Sequence, residues 1–304
     1  MKRAPTDIPK MSREVVLSAR NLSAPAARFL VTSYYDQQEM RKRSDMQLRH
    51  LGDEVSSELA QTVAYFANAS ATLEGQVARA LKAFAEGDAV GRWCLAQFGV
   101  GPVITSGLLA HISVEIAQTA GQVWSFAGLN PEQKWEKGQK RPYNAALKQL
   151  CFHLGECFKR TSNHEESFYG AFYRERKALL VSRNDAGHNA ERAKIFFTKS
   201  ADVKKTLATG KLPAGNLDRQ ACNITAKLFL SHLHAVMFWD RFKKPPPTPF
   251  AIAILGHAHE IKIPHMEMFP GFAEAYYGAA ASVSEPQKSQ KQSGKKKQIR
   301  QAAE

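Results

Sequence analysis

The residues able to do chemistry in this sequence cluster between positions 95 and 160, and their common chemistry is that of holding phosphate. Gly99-Val100-Gly101-Pro102 joins two apolar runs of helical character, 93–98 and 103–112. Two glycines around one apolar residue permit positive φ and close approach of a foreign backbone, and Pro102 suits a first helical turn. The free N–H groups at the start of the second helix, with the positive end of its dipole, form a seat for phosphate; Thr105 is counted among its contacts. Such a seat grips a backbone without reading bases, so its affinity is independent of sequence and sensitive to salt. A plain turn between two helices has the same composition, so the bend alone does not choose between the two readings.

The stretch from 128 to 144 makes a second candidate. Lys134, Lys137, Lys140 and Arg141 alternate with Trp135 and Tyr143, around Gly138 and ahead of Asn144 and Lys148. That mixture suits a surface where phosphates are neutralised and sugars or bases stack on rings. A surface loop carries charges too, but less often an exposed Trp. Tyr143 beside Lys140 and Arg141 also has the company a phosphoryl-transfer nucleophile requires, although stacking is the commoner role of such a ring. Among the ten histidines, His257, His259 and His265 are the nearest approach to a metal cluster, without a nearby Cys or an evident fourth ligand. His232 and His234 diverge by about 200° on a helix and cannot share a metal. Glu115, Glu156, Glu165 and Glu166 form no acid–base pair, and no nucleotide-binding or esterase motif is present.

Helices have to position these groups. Leu73, Val77, Leu81 and Phe84 form an apolar stripe opposed by Glu74, Arg79, Lys82 and Glu86, the mark of a core-facing or coiled-coil helix. A basic run, Arg41-Lys42-Arg43 with Arg49, reads first as a solvated helix face. Further helices are expected over 167–180 and 218–242, the second with a stripe of Ile224, Leu228, His232 or Ala235, and Trp239; Pro245-Pro246-Pro247 ends it. A polar, Gly-containing excursion with five lysines separates the two. No series of alternating strands appears, so the fold class is mainly α. It comprises a helical arm over 1–92 with coiled-coil or oligomerisation character and a helix-hairpin-helix-containing domain over 93–244. A proline-led extension follows over 245–281, then a disordered basic tail over 282–304.

Forty-two Lys and Arg against 28 Asp and Glu leave a formal charge of +14, which points to a polyanionic partner. Hydrophobic residues make up 44% of the chain, enough to build cores and to exclude wholesale disorder. No apolar stretch of membrane-spanning length and no leader-like start is seen, so a cytoplasmic, nucleoid-associated protein with no membrane partner is expected. The four cysteines make no CxxC pair and read as buried thiols.

The ordered set of Gly99-Val100-Gly101-Pro102, Trp124-Ser125-Phe126-Ala127-Gly128-Leu129-Asn130-Pro131, Lys137-Gly138 and Asn144-Ala145-Ala146-Leu147-Lys148 resembles the C-terminal domain of bacterial transposases of the insertion-sequence 110, 116 and 902 type. Lys148 stands where that family usually shows Arg. Ser167-Phe168-Tyr169 and Ala226-Lys227-Leu228-Phe229-Leu230 resemble its closing helices, and the likeness covers roughly residues 70 to 242. The resemblance implies a DNA-binding helical domain serving DNA transposition or recombination, as a homo-oligomer. Two departures qualify it. The family's N-terminal nuclease-like domain with four acidic metal ligands has no counterpart, since Asp7, Asp36, Asp45 and Asp53 follow no apolar strand. The family's serine nucleophile falls at Lys137, which cannot form a phosphoserine link. The expected function is therefore DNA-backbone binding without the serine chemistry. The alternatives are an active recombinase with a relocated nucleophile or a partner-supplied nuclease, needing a divalent metal such as magnesium, and an RNA-binding scaffold for a structured guide RNA.

Overall fold

The computed structural model describes residues 7–51, 57–133, 135–247 and 261–283; among them every regular element is a helix and none is a strand. The chain starts with α1 (Arg13–Ser18), a short 3-10 turn, and then α2 (Ala24–His50), capped by the Ser23 hydroxyl with Pro25 in its first turn. Next comes α3 (Ser57–Gly87), antiparallel to α2. With 27 and 31 residues the two helices run about 40 and 46 Å. Two long-range hydrogen bonds anchor the inner half of this hairpin. Arg28 donates to the Ala110 carbonyl at 2.6 Å, and the Ser106 hydroxyl donates to the Leu81 carbonyl at 2.8 Å.

Acceptor and donor both belong to α5 (Pro102–His111), which the glycine bend joins to α4 (Ala89–Ala96). Asp88 caps α4 through the Gly91 amide, and a Cβ on Gly91 would lie 2.0 Å from the Ala85 carbonyl oxygen, so only glycine allows the α3–α4 joint. Nearly all of α5 is buried, which makes it the central helix. It lies against α7 (Ala145–Arg160) in antiparallel sense, with Gly107 beside Leu150 and His111 beside Asn144. Between them in sequence, α6 (Ala120–Phe126) begins in a capping box of Thr119 and Gln122.

The remaining helices are α8 (Phe168–Asp185), the short α9 (Ala190–Lys194) and α10 (Ala201–Ala208), α11 (Ala214–Phe242) and α12 (Phe272–Val283). Four rings close the centre. Phe158 and Phe229 lie 5.6 Å apart, Tyr169 is 4.9 and 5.1 Å from them, and Trp93 sits 5.7 Å from Phe229. Trp93 reaches past this centre to donate to the Pro264 carbonyl at 2.8 Å, and Phe272 stacks on Trp239 at 5.2 Å.

These contacts redraw the expected organisation. The boundary at 92/93 falls inside α4, and one apolar cluster runs from Val31, Leu81 and Val90 through Trp93 to Ile263, Phe269 and Phe272. Described residues of the expected arm and extension thus contribute to one apolar cluster with the helices between them. Of the expected α11 stripe, His232 and Ala235 are buried and Leu228 and Trp239 pack against the core, while Ile224 is exposed; the buried face also takes in Leu217, Ala221, Thr225, Phe229, Leu233 and Val236. Lys243 closes α11 in the left-handed region, ahead of the prolines. The tail from 284 onward lies outside the described residues. No helix among the described residues is long and apolar enough to cross a membrane.

Candidate nucleic-acid interface

The N-terminus of α7 organises the region that the sequence marked as basic. Asn144 caps it, accepting from the Leu147 amide at 2.9 Å, while its own amide proton goes to the Phe126 carbonyl and its side-chain NH2 faces His111 Nδ1 at 3.3 Å. Asn144 is therefore a structural cap. Gly128 turns with φ of +64°, a left-handed value, and the Tyr143 ring covers it so closely that a Cβ there would lie 2.8 Å from Tyr143 Cγ. Trp135 donates to the Gln139 carbonyl at 2.8 Å, which closes the outer part of the loop. Lys137, Gly138 and Lys140 are exposed on that outer turn; Lys134 lies outside the described residues.

Between this loop, α7 and α11 runs an open groove of about 750 Å³. Arg141 and Lys148 line one side, Arg219 and Lys227 the other, and Arg192 of α9 its end. Among the described residues no carboxylate lines it. Aromatic faces hold four of the five cations: Arg141 stands 5.3 Å from the Trp135 centroid, Lys148 4.2 Å from Tyr143, Arg219 4.0 Å from Phe152 and Lys227 5.5 Å from Trp124. Trp124 is itself fixed by donating to the Lys227 carbonyl at 3.0 Å. A ring orients a cation without cancelling its charge, whereas a carboxylate cancels it. Arg141, Lys148, Arg192 and Lys227 have no ion-pair partner among the described residues.

Arg219 alone of the five has an acidic partner, Glu156 at 2.6 Å outside the groove. Its other terminal nitrogen is buried without a hydrogen-bond partner. Burial holds the Lys227 ammonium below its usual pKa. Gln149 and Asn223 add amides to the lining.

Two cations beside the groove share a carboxylate. Asp218 takes Lys159 at 2.6 Å, Lys177 at 2.7 Å and the Tyr173 hydroxyl at 2.5 Å. Burial alone would raise the pKa of Asp218, but these donors outweigh it and hold the carboxylate well below its usual range. Glu156, Asp218 and Cys222 come within 4.8 Å of one another, a spacing that would suit a metal. Both carboxylates are already engaged by cations, and burial pushes the Cys222 thiol up to about 11, so the trio works as an ion-pair network. Of the histidines named for metal, His257 and His259 lie outside the described residues, and His265 faces Glu267 at 3.3 Å.

The bend stands elsewhere. Gly99 has φ of +92° and its Cα side faces Thr161, Phe98 stacks on His164 at 3.8 Å, and Val100 is buried. Thr105 is 0% exposed and its hydroxyl has no partner, so it lies in the core and not on a binding surface. Only Gly101 opens outward. Thr161 caps the C-terminus of α7, whereas Asn144 and Lys148 are at its N-terminus, so a helix of 16 residues, about 24 Å, separates bend from loop. The two do not converge on one ridge.

Arg192, Arg219, Lys227 and Phe152 escaped the sequence reading. A signal existed in α11: Arg219, Asn223 and Lys227 recur at intervals of four, a polar face opposite the buried stripe. No family model, curated protein or solved structure matches this chain.

Proposed function

We propose that this chain binds a nucleic-acid strand by its phosphates in the groove between the 128–143 loop, α7 and α11. The observation that carries the reading is the set of five cations, Arg141, Lys148, Arg192, Arg219 and Lys227, facing one groove without a lining carboxylate. The formal charge of +14 supports it. DNA is the partner that the transposase resemblance implies, with the strand held rather than cut: Lys137 occupies the serine position, out on the loop turn. Binding through phosphates has no sequence preference of its own.

Equilibrium binding of a labelled oligonucleotide, followed by anisotropy across salt concentrations, tests this. Five phosphate contacts predict a log–log salt slope of about −3.5 for a single strand and about −4.5 for a duplex. Raising monovalent salt from about 50 to 200 mM should then weaken single-strand binding roughly a hundredfold. An affinity that stays flat over that range rejects the proposal. Competition between DNA and a structured RNA of equal length identifies the preferred strand.

A further inference from the structure

The outer half of the α2–α3 hairpin reaches beyond the anchoring contacts with α5, and the outer half of α3 has no charge from residue 59 to residue 73. Within that run Leu59, Phe66 and Leu73 are 47%, 53% and 38% exposed. They are spaced seven apart, so they form one stripe along the helix, the repeat of a coiled-coil seam. The stripe runs beside the seam with α2, since Ala67 and Ser70 on its flank are buried. A second helical hairpin can therefore lie alongside and extend the same packing into a four-helix arrangement.

The order Leu, Phe, Leu at equal spacing reads the same in both directions. Two α3 helices packed antiparallel across a two-fold axis at Phe66 set Leu59 of each against Leu73 of the other, and Phe66 against itself. An isologous contact requires this self-complementarity, and a stripe meant for an unrelated helix does not. Charge agrees. A chain of +14 repels its own copies over most of its surface, and this uncharged face permits close approach. Glu58 and Glu74 flank the stripe and would face each other across the axis; Glu74 is already paired with Arg41 at 2.5 Å, so Glu58 meets a neutral pair rather than a bare carboxylate.

We infer that the outer half of α3 is a self-association surface for a second copy of this chain, centred on Phe66. Three apolar layers make a small interface, so the dimer forms in a concentration-dependent way. Each dimer carries two phosphate grooves, and a strand long enough to reach both binds with avidity. The inference stands on α3 and survives if the groove proves not to bind nucleic acid.

Sedimentation velocity over about 1 to 100 μM tests it, that range bracketing the affinity of a small interface. The weight-average mass should rise from 33.8 kDa toward about twice that value, and the Phe66→Asp variant should stay at the monomer mass with an unchanged helical circular dichroism spectrum. A monomeric wild type across the range, or a Phe66→Asp variant that still dimerises, overturns the inference. An independent reading comes from single-cysteine variants. Under mild oxidation a mixture of Leu59→Cys and Leu73→Cys chains should cross-link more than either alone or the wild type, whose cysteines are buried or half-buried. Self-linked Leu59→Cys in excess of the mixed product contradicts the antiparallel register.

Discussion

At the scale of single residues, the pairing of four of the five groove cations with a ring carries the most information. Lys148 rests on Tyr143, which in turn covers Gly128. The hydroxyl plays no part in that arrangement, so Tyr143→Phe should bind an oligonucleotide within about twofold of wild type, whereas Tyr143→Ala frees Lys148 and should weaken binding severalfold. Anisotropy titrations of both variants check this; a Tyr143→Phe chain that loses most of its affinity would contradict the ring-as-support account. The composition of the loop was legible in the sequence as cations among rings. Their division of labour was not, because Arg219 meets Phe152 across 67 positions and only the fold brings them together.

A second residue-scale consequence concerns His232. Its Nε2 faces the Ile261 carbonyl at 3.1 Å, which can only accept, so Nε2 bears the proton and Nδ1 accepts from the Tyr169 hydroxyl at 2.8 Å. Burial outweighs the carbonyl contact and lowers its pKa to about 4, against an ordinary 6.5 in the unfolded chain. Between those values the unfolded chain holds the extra proton. Stability is then full above pH 6.5, falls as the pH drops toward 4 and levels off below. The loss from this group should reach about 2 kcal/mol by pH 5. Urea unfolding midpoints at pH 7 and pH 5 measure it, and a His232→Gln variant should show a flatter pH dependence than wild type. His234, buried and donating to the Ala117 carbonyl at 3.0 Å, shifts in the same direction.

At the scale of elements, the helices themselves were readable because apolar spacing, Ser23, Asn144 and the prolines around α11 announce their starts and stops. Which helix would be central was not. The run after Gly101 is apolar on all sides, and that pattern means burial rather than a surface helix offering its N-terminus to a phosphate. Thr105 follows from this. Its hydroxyl is sealed without a partner, so Thr105→Val, which replaces the hydroxyl with a methyl, should raise stability by about 1 kcal/mol and leave binding unchanged. A lower melting temperature for Thr105→Val would show that the hydroxyl is satisfied in a way this packing does not provide. The distance between bend and loop was equally hidden, since both flank α7 in function only if that helix is ignored as a 24 Å spacer of about four turns.

At the scale of the whole molecule, the excess of positive charge was plain from composition, but its distribution was not. Asp218 offsets part of the charge of Lys159 and Lys177 beside the groove, so the potential concentrates where carboxylates are missing rather than wherever lysines are dense. The segments divided in the sequence as arm, domain and extension share a single apolar cluster, because Val31 and Phe272 reach the same centre from opposite parts of the chain. That shared core fixes α7 and α11 relative to each other, and with them the width of the groove. The most direct test of this account is a comparison of two variants with equal charge change, both lowering the formal charge from +14 to +10. Lys148→Glu with Lys227→Glu alters the groove, while Lys199→Glu with Lys204→Glu alters exposed lysines elsewhere. Measured against one labelled strand at about 100 mM salt, the groove variant should lose at least about tenfold in affinity and the control less than about threefold. Equal losses in the two would mean that net charge, and not this groove, holds the strand.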